Sequence, residues 1–396
     1  MNIAISEIAK YSAEWTAVRH KLHRHPELGY EEHRTAGVVK EHLSAMGLDY
    51  EDRIGVTGVV SVITGTAGQS DRAVGLRADM DALPIQEENA FDHRSQVDGK
   101  MHGCGHDGHT TMLLAAARYL VENRARFSGR VVLIFQPGEE GHAGARAMIE
   151  DGLFRRFPVD AVYAQHNWPS MAPGTIGVNP GPMMAGIDTF TIMIRGVGGH
   201  GAHPHQAIDP TIAAGQIITA IQSIVSRSLN PLDSGVISLH GLDAGAPGRL
   251  SIVPETVRLD GMAKWYREQV QDILRSRLQT VVQKTAEAFG ASAELDYRPL
   301  YPPTVNTVAE ARRVARIGET LVGADKVVSD MEPSMGSEDF AFMLREKPGA
   351  YFRLGQGGQP GCFLHNPRYD FNDDVIPLGA AMLAQIALDD LAGREA

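Results

Sequence analysis

The stretch Arg130-Val131-Val132-Leu133-Ile134-Phe135-Gln136-Pro137-Gly138-Glu139-Glu140 decides the fold. Residues 131–135 are apolar without interruption, which suits a strand buried on both faces. Pro137-Gly138 ends it in a turn, and two adjacent carboxylates follow. Like charges at a strand end are costly unless a cation is close. Shorter runs of the same texture lie at 58–63, 73–78 and 159–164. Residues 110–123 carry the continuous apolar face of a buried helix, through Met112, Leu113, Ala116, Ala117 and Leu120. Strands alternating with helices predict an α/β fold with parallel strands. Residues 5–46 read as largely helical, with a break at Pro26 and Gly29. Three strands run straight into polar groups, at Asp79, at Glu139 and Glu140, and at His166. Ligands sit at the carboxyl ends of strands in open α/β sheets, so these groups are expected to converge.

The texture changes at Pro180-Gly181-Pro182. Beyond it the pattern reads strand 189–195, helix 210–226, strands 235–240 and 256–264, helix 269–289 and strand 293–298. That β-α-β-β-α-β order makes a complete small α+β domain. The first texture returns near residue 300, with helices at 308–321 and 375–391. The expected organisation is a catalytic domain in two parts, 1–183 and 299–396, with an inserted domain at 184–298.

The chain has 396 residues, 43% hydrophobic and 21% charged, with a net charge of -11. That length is typical of two domains. The acidic balance and the lack of a basic stripe exclude nucleic acid as an expected partner. Two cysteines, Cys104 and Cys362, cannot supply a disulfide framework. The first residues show no basic segment leading into an apolar one, so a cytoplasmic location is expected. No run approaches the roughly 18 apolar residues of a membrane span, and no membrane partner is expected.

The chemistry centres on Met101-His102-Gly103-Cys104-Gly105-His106-Asp107-Gly108-His109. Gly103 and Gly105 free the backbone to turn Cys104 and His106 toward one point. Thiolate, imidazole and carboxylate are ligands for divalent transition metals. Of Glu139 and Glu140, one can ligate while the other stays free to move protons. His166 ends a strand, and His365 lies in Phe363-Leu364-His365-Asn366-Pro367. Asp79 and Asp81 follow a strand, where a carboxylate can orient a ligand histidine. Taken singly, each has a plainer reading: a buried cysteine, a solvated acidic turn, a satisfied histidine.

Together these pieces resemble the amidohydrolase branch of the aminoacylase/carboxypeptidase superfamily of two-metal peptidases, which includes hippurate hydrolases, N-acyl-amino-acid amidohydrolases and auxin-conjugate hydrolases. The matching motifs are His23-Arg24-His25-Pro26-Glu27, the segment 77–84, the segment 102–109 and the segment 135–141. Gly198-Gly199-His200-Gly201-Ala202-His203-Pro204-His205, Met335-Gly336-Ser337-Glu338-Asp339-Phe340 and His365-Asn366-Pro367 complete the set. The resemblance implies a mixed, largely parallel sheet with helices on both faces, plus an inserted ferredoxin-like lid or dimerisation domain. It implies two divalent metal ions per subunit (zinc, manganese, cobalt or nickel) held by Cys104, His106, Glu140, His166 and His365. It makes Glu139 the general base, Asp81 the carboxylate behind the ligands, and His200 an oxyanion donor reaching a partner subunit, so a homodimer or a dimer-based oligomer is expected.

The chain departs from this pattern twice. Ser251-Ile252-Val253-Pro254 stands where the family has an Asn, and Lys264 of Gly261-Met262-Ala263-Lys264 stands where it has an Arg. Both positions serve substrate binding in the family, and Lys lacks the two-pronged geometry that fits a carboxylate. The expected function is metal-dependent hydrolysis of small N-acyl amino acids or related acyl-amine conjugates. A dipeptidase or carboxypeptidase, and a non-catalytic metal- or ligand-binding protein, are the alternatives.

Overall fold

The computed structural model describes residues 3–393 except 247, 249 and 359–361. The chain divides into two compact units. The first holds the residues up to Met183, Thr304–Pro333 and those from Asp339 onward; the second holds Met184–Pro303 and Ser334–Glu338.

The first unit is built on an eight-stranded sheet. Its strand order is Tyr50–Ile54, Gly58–Thr64, Arg130–Gln136, Ala73–Asp79, Ala161–Trp168, Gly349–Gly355, Ile176–Gly177 and Val327–Val328. Ala73–Asp79 runs parallel to Arg130–Gln136 and to Ala161–Trp168, and Gly349–Gly355 runs parallel to Ala161–Trp168. Every residue of Ala73–Asp79 is buried, as continuous apolar strands require when helices cover the sheet. The helices His106–Glu122 and Ile376–Leu391 are buried along almost their whole lengths. A helix apolar all round belongs inside a layered core, and both contribute to one cluster with Leu76, Leu133 and Phe352.

Several elements differ from the sequence reading, and three show why. Tyr50–Ile54 is an edge strand, antiparallel to Gly58–Thr64; its Glu51, Asp52 and Arg53 hide the usual alternation and suit an exposed edge. Gly349–Gly355 is a wholly buried strand, masked by glycine at both ends and by Arg353. The strand expected at 159–164 runs on to Trp168, so His166 lies within it.

In the second unit a four-stranded antiparallel sheet has the order Gly235–Ala244, Thr256–Trp265, Gly186–Arg195, Ser292–Tyr301. Burial along Gly186–Arg195 alternates residue by residue. Phe190, Ile192 and Ile194 pack with Ile217 and Ile221 of helix Pro210–Ser228 and with Leu274 and Leu278 of helix Glu268–Ala288. Asp209 caps the first helix by accepting Thr211 N–H at 2.9 Å, with Pro210 at its first turn. Full burial of each such Leu or Ile contributes about 1.5–3 kcal/mol, and Leu278→Ala would cost about 2–5 kcal/mol. Among the described residues no helix is long and apolar enough to cross a membrane.

Candidate active site

The carboxyl ends of three adjacent strands of the first unit assemble the cluster. Asp79 ends one, Gln136 ends the next just before Glu139 and Glu140, and His166 lies near the end of the third. The helix between the first two begins at His106, four residues earlier than its apolar face suggests. The cause is Gly105, whose φ of 96° is open to glycine at no steric cost. A Cβ there would also collide with Asn167 Oδ1 and Tyr369 Oη. This sharp entry places Cys104 just before the helix and His106 in its first turn.

Donor atoms of Cys104, His106 and His166 lie within 4.8 Å of one another, and so do those of Cys104, Glu140 and His365. Cys104 belongs to both triads. A third group, His106, Glu139 and Glu140, meets the same limit. Cys104 Sγ is 3.4 Å from His166 Nε2, and His365 Nε2 is 3.1 Å from Glu140 Oε1. Such spacings are those of ligands around one ion with bonds of about 2.0–2.3 Å.

The tautomers are fixed from behind. His166 Nδ1–H donates to the Asn167 carbonyl at 2.7 Å, which turns Nε2 toward Cys104. His106 Nδ1–H donates to Asp81 Oδ1 at 3.2 Å. The other oxygen of Asp81 accepts the Glu140 N–H at 2.9 Å, so one buried carboxylate orients two members of the cluster. Among the described residues His106 Nε2, which is buried, has no hydrogen-bond partner. Such an atom calls for an explanation, and a cation is the one its surroundings fit.

The electrostatics point the same way. Burial, then the charges of Glu140 and Glu139, push the Cys104 thiol well above its ordinary range; a bound cation would reverse that balance. Burial opposes a charge on His106, but Asp79 and Asp81 outweigh it and hold the ring at about 10. Proton and metal compete for the same nitrogen. Burial, then His109, holds His166 well below its usual value, which leaves a neutral imidazole. His365 has a left-handed φ of 64°, strain of the kind found at functional positions.

His200, Ser251 and Lys264 belong to the second unit. His200 is exposed, and Ile252 pairs with it across a short two-stranded ladder. Ser251 is next in sequence, exposed, with a φ of 62°. Lys264 is buried and donates from Nζ to Ser337 Oγ at 2.8 Å.

The sequence reading missed the polar scaffold beneath the cluster. Arg77 donates to Gln136 Oε1 at 2.7 Å, Asp79 Oδ2 at 2.7 Å and Asp339 Oδ1 at 3.1 Å. Asp79 accepts His109 Nδ1–H at 2.6 Å, and His109 Nε2 lies 2.6 Å from Asn167 Oδ1. Both nitrogens of His109 are thereby engaged, which separates it from the ligand set. One signal was available: Arg77 interrupts an otherwise apolar central strand, and a buried guanidinium needs carboxylate partners.

A thiol, imidazoles and a carboxylate at the strand ends of an α/β sheet, with a spare acid beside them, define a metal-dependent hydrolase. The chain belongs to the peptidase family M20/M25/M40, whose sequence profile matches residues 75–389. It is similar to a hippurate hydrolase of Campylobacter jejuni, 37% identical over 98% of this chain and 99% of the relative. It is also similar to the IAA-amino acid hydrolase ILR1-like 4 of Arabidopsis thaliana, 38% identical over 94% of this chain and 85% of the relative. Among solved structures, the Bacillus subtilis YXEP protein, described as a dinuclear metal-binding peptidase of the M20 family, superposes with a TM-score of 0.83. It is 30% identical and covers 97% of this chain and 99% of its own.

Proposed function

We propose that the protein hydrolyses the amide bond of small N-acyl amino acids or related acyl-amine conjugates with two divalent metal ions per chain. The observation that carries this reading is that Cys104 belongs to two donor triads while Glu139 lies beside Glu140 and His106. Cys104, His106 and His166 would hold one ion; Cys104, Glu140 and His365 would hold the other. Zinc, manganese, cobalt and nickel all accept these ligands. When bound, the ions polarise the scissile carbonyl and acidify the attacking water. Glu139 takes the proton of that water and returns it to the leaving amine. Asp81 keeps His106 and the Glu140 backbone in place through both steps.

The inserted unit acts as lid and dimerisation domain, and His200 of the partner subunit donates to the developing oxyanion. A separation within the second unit supports this. Strand Thr256–Trp265 runs from the register position opposite Arg195 to that opposite Gly186. His200 and Ser251 precede its start, whereas Lys264 is near its far end. At ~3.3 Å per residue the intervening strand spans roughly 26 Å. The two ends of that strand lie farther apart than a small substrate spans, which supports two copies each bringing one end.

Lys264 is the chain's residue for the substrate's polar end. Its bond to Ser337 and its lack of a planar fork support a weak grip on a free α-carboxylate. Esters, primary amides and other uncharged conjugates are then substrates too. The test is turnover of a panel of N-acyl amino acids and their primary amides by metal-free protein reloaded with each ion. The reading predicts hydrolysis of both, with the free acid favoured by less than about tenfold. Bound metal without turnover of any acyl-amine overturns it.

A further inference from the structure

Within the motif Ser337-Glu338-Asp339, Asp339 has no role in the reaction as derived so far, yet it is wholly buried and heavily bonded. Its Oδ1 accepts from Arg77 Nη2 at 3.1 Å and from Gln136 Nε2 at 2.8 Å. Its Oδ2 accepts from Gln136 Nε2 at 3.0 Å and from the Ala145 backbone N–H at 2.9 Å. Gln136 and Ala145 bracket the turn that carries Glu139 and Glu140. Inside that turn Gly138, Gly141 and Ala143 all have left-handed φ, at 56°, 83° and 57°, so no regular ladder fixes its path. The backbone N–H of Asp339 donates to Glu139 Oε1 at 3.3 Å. One residue thus holds both ends of the turn with its carboxylate and touches the acid at its middle with its amide.

We infer that Asp339 is a positioning residue for Glu139: it sets where the base stands relative to the reacting atoms and takes no part in binding substrate or metal. The inference rests on the reading of Glu139 as general base. Its physical content is that a charged acceptor serving several buried donors is short-ranged and directional. An amide in its place turns one acceptor into a donor facing donors. The turn must then shift, and misplacing a catalytic group by about 1 Å costs on the order of a hundredfold in rate.

The test compares Asp339→Asn in the wild-type and Glu139→Gln backgrounds, with kcat expressed per metal-loaded chain. In the wild-type background kcat falls about ten- to hundredfold, while KM stays within about twofold and metal content is unchanged. In the Glu139→Gln background the same substitution lowers the residual rate by less than about twofold, because there is no base left to misplace. A purely structural role would lower both backgrounds by the same factor, and that result overturns the inference. So does an unchanged kcat in Asp339→Asn. Near-normal turnover in Glu139→Gln alone overturns the base assignment itself, which distinguishes the two failures. Should Asp339→Asn not fold, Gln136→Met keeps the charge and removes one tether. A smaller kcat loss with the same non-additivity is then expected, and an additive loss or none overturns the inference.

Discussion

The eight-stranded sheet of the first unit and the four-stranded sheet of the second handle charge differently. In the first, Arg77, Asp79 and Asp339 are buried and each meets several partners, all near the strand ends that carry the cluster. In the second, Arg258 pairs with Asp260 at 2.9 Å on an open face of the sheet, and Arg298 pairs with Asp296 beside it. With Thr189, Thr191 and His240 these residues line a hollow of about 440 Å³. That hollow is roomy, but among the described residues no metal-ligand set lies in it, and its ion pairs are screened by water. Size of cavity therefore points away from the chemistry here. Buried charge alone does not mark it either, since Asp188 of the second sheet is buried and accepts from Trp265, Gln271 and Tyr297; buried charge beside a cluster of metal-ligand donors does. Removing one of these buried charges of the first sheet should matter, and removing one of the exposed pairs of the second hardly at all.

The largest effect expected under that contrast is at Glu139. Glu139→Gln should retain metal and lose at least about a hundredfold in turnover. Mixed with an inactive His200→Ala protein, it should regain part of the activity once subunits exchange, because one hybrid site then has both residues. Verified exchange without recovery would show that His200 does not serve a neighbouring chain.

Asp81→Ala should lower metal affinity or activity by about ten- to a hundredfold, since it frees the His106 ring and the Glu140 backbone together. Metal titration at the wild-type affinity together with wild-type turnover in the variant would contradict its role.

A further contrast concerns pH. His23 is buried between Asp107, at 2.8 Å, and Glu87, at 3.3 Å. Burial opposes its charge, but Asp107 and then Glu87 outweigh burial and raise the ring to about 9. A group raised in this way stabilises the fold fully below its ordinary value of about 6.5 and loses that contribution as pH rises through 9. Denaturation midpoints should therefore fall from pH 6.5 to 9, on the order of a few kcal/mol for this group. His23→Gln should flatten that slope; an equally steep slope in the variant would show another group at work. The smallest effect belongs to Arg258→Ala, which should leave metal content and kcat/KM unchanged within about twofold. A large loss would mean that the open face of the second sheet has a function of its own.

Much of this was legible in the residues. The apolar run 131–135 ending in two acids pointed to where the donor atoms gather, because strand ends and charge density are local features of sequence. The β-α-β-β-α-β order of the second unit was legible for the same reason, since alternation in Gly186–Arg195 survives on its half-exposed face. The start of the helix at His106 was not, since it depends on the backbone angle of Gly105 and on how closely Asn167 and Tyr369 approach it. Nor was the tie between Asp339 and the Gln136 turn, whose partners stand some two hundred positions apart. Lys264 read as a substrate-binding residue, and its bond to Ser337, 73 positions further along the chain, is not a local feature of the sequence.

The central claim is that Cys104 is shared by two ions. It is tested most directly by calorimetric titration and elemental analysis of metal-free protein with manganese or zinc, in the wild type and in Cys104→Ala. The account predicts two ions per chain in the wild type, and in the variant the loss of both tightly bound ions together with hydrolysis. A single ion per chain in the wild type, or two tightly bound ions in Cys104→Ala, would contradict it.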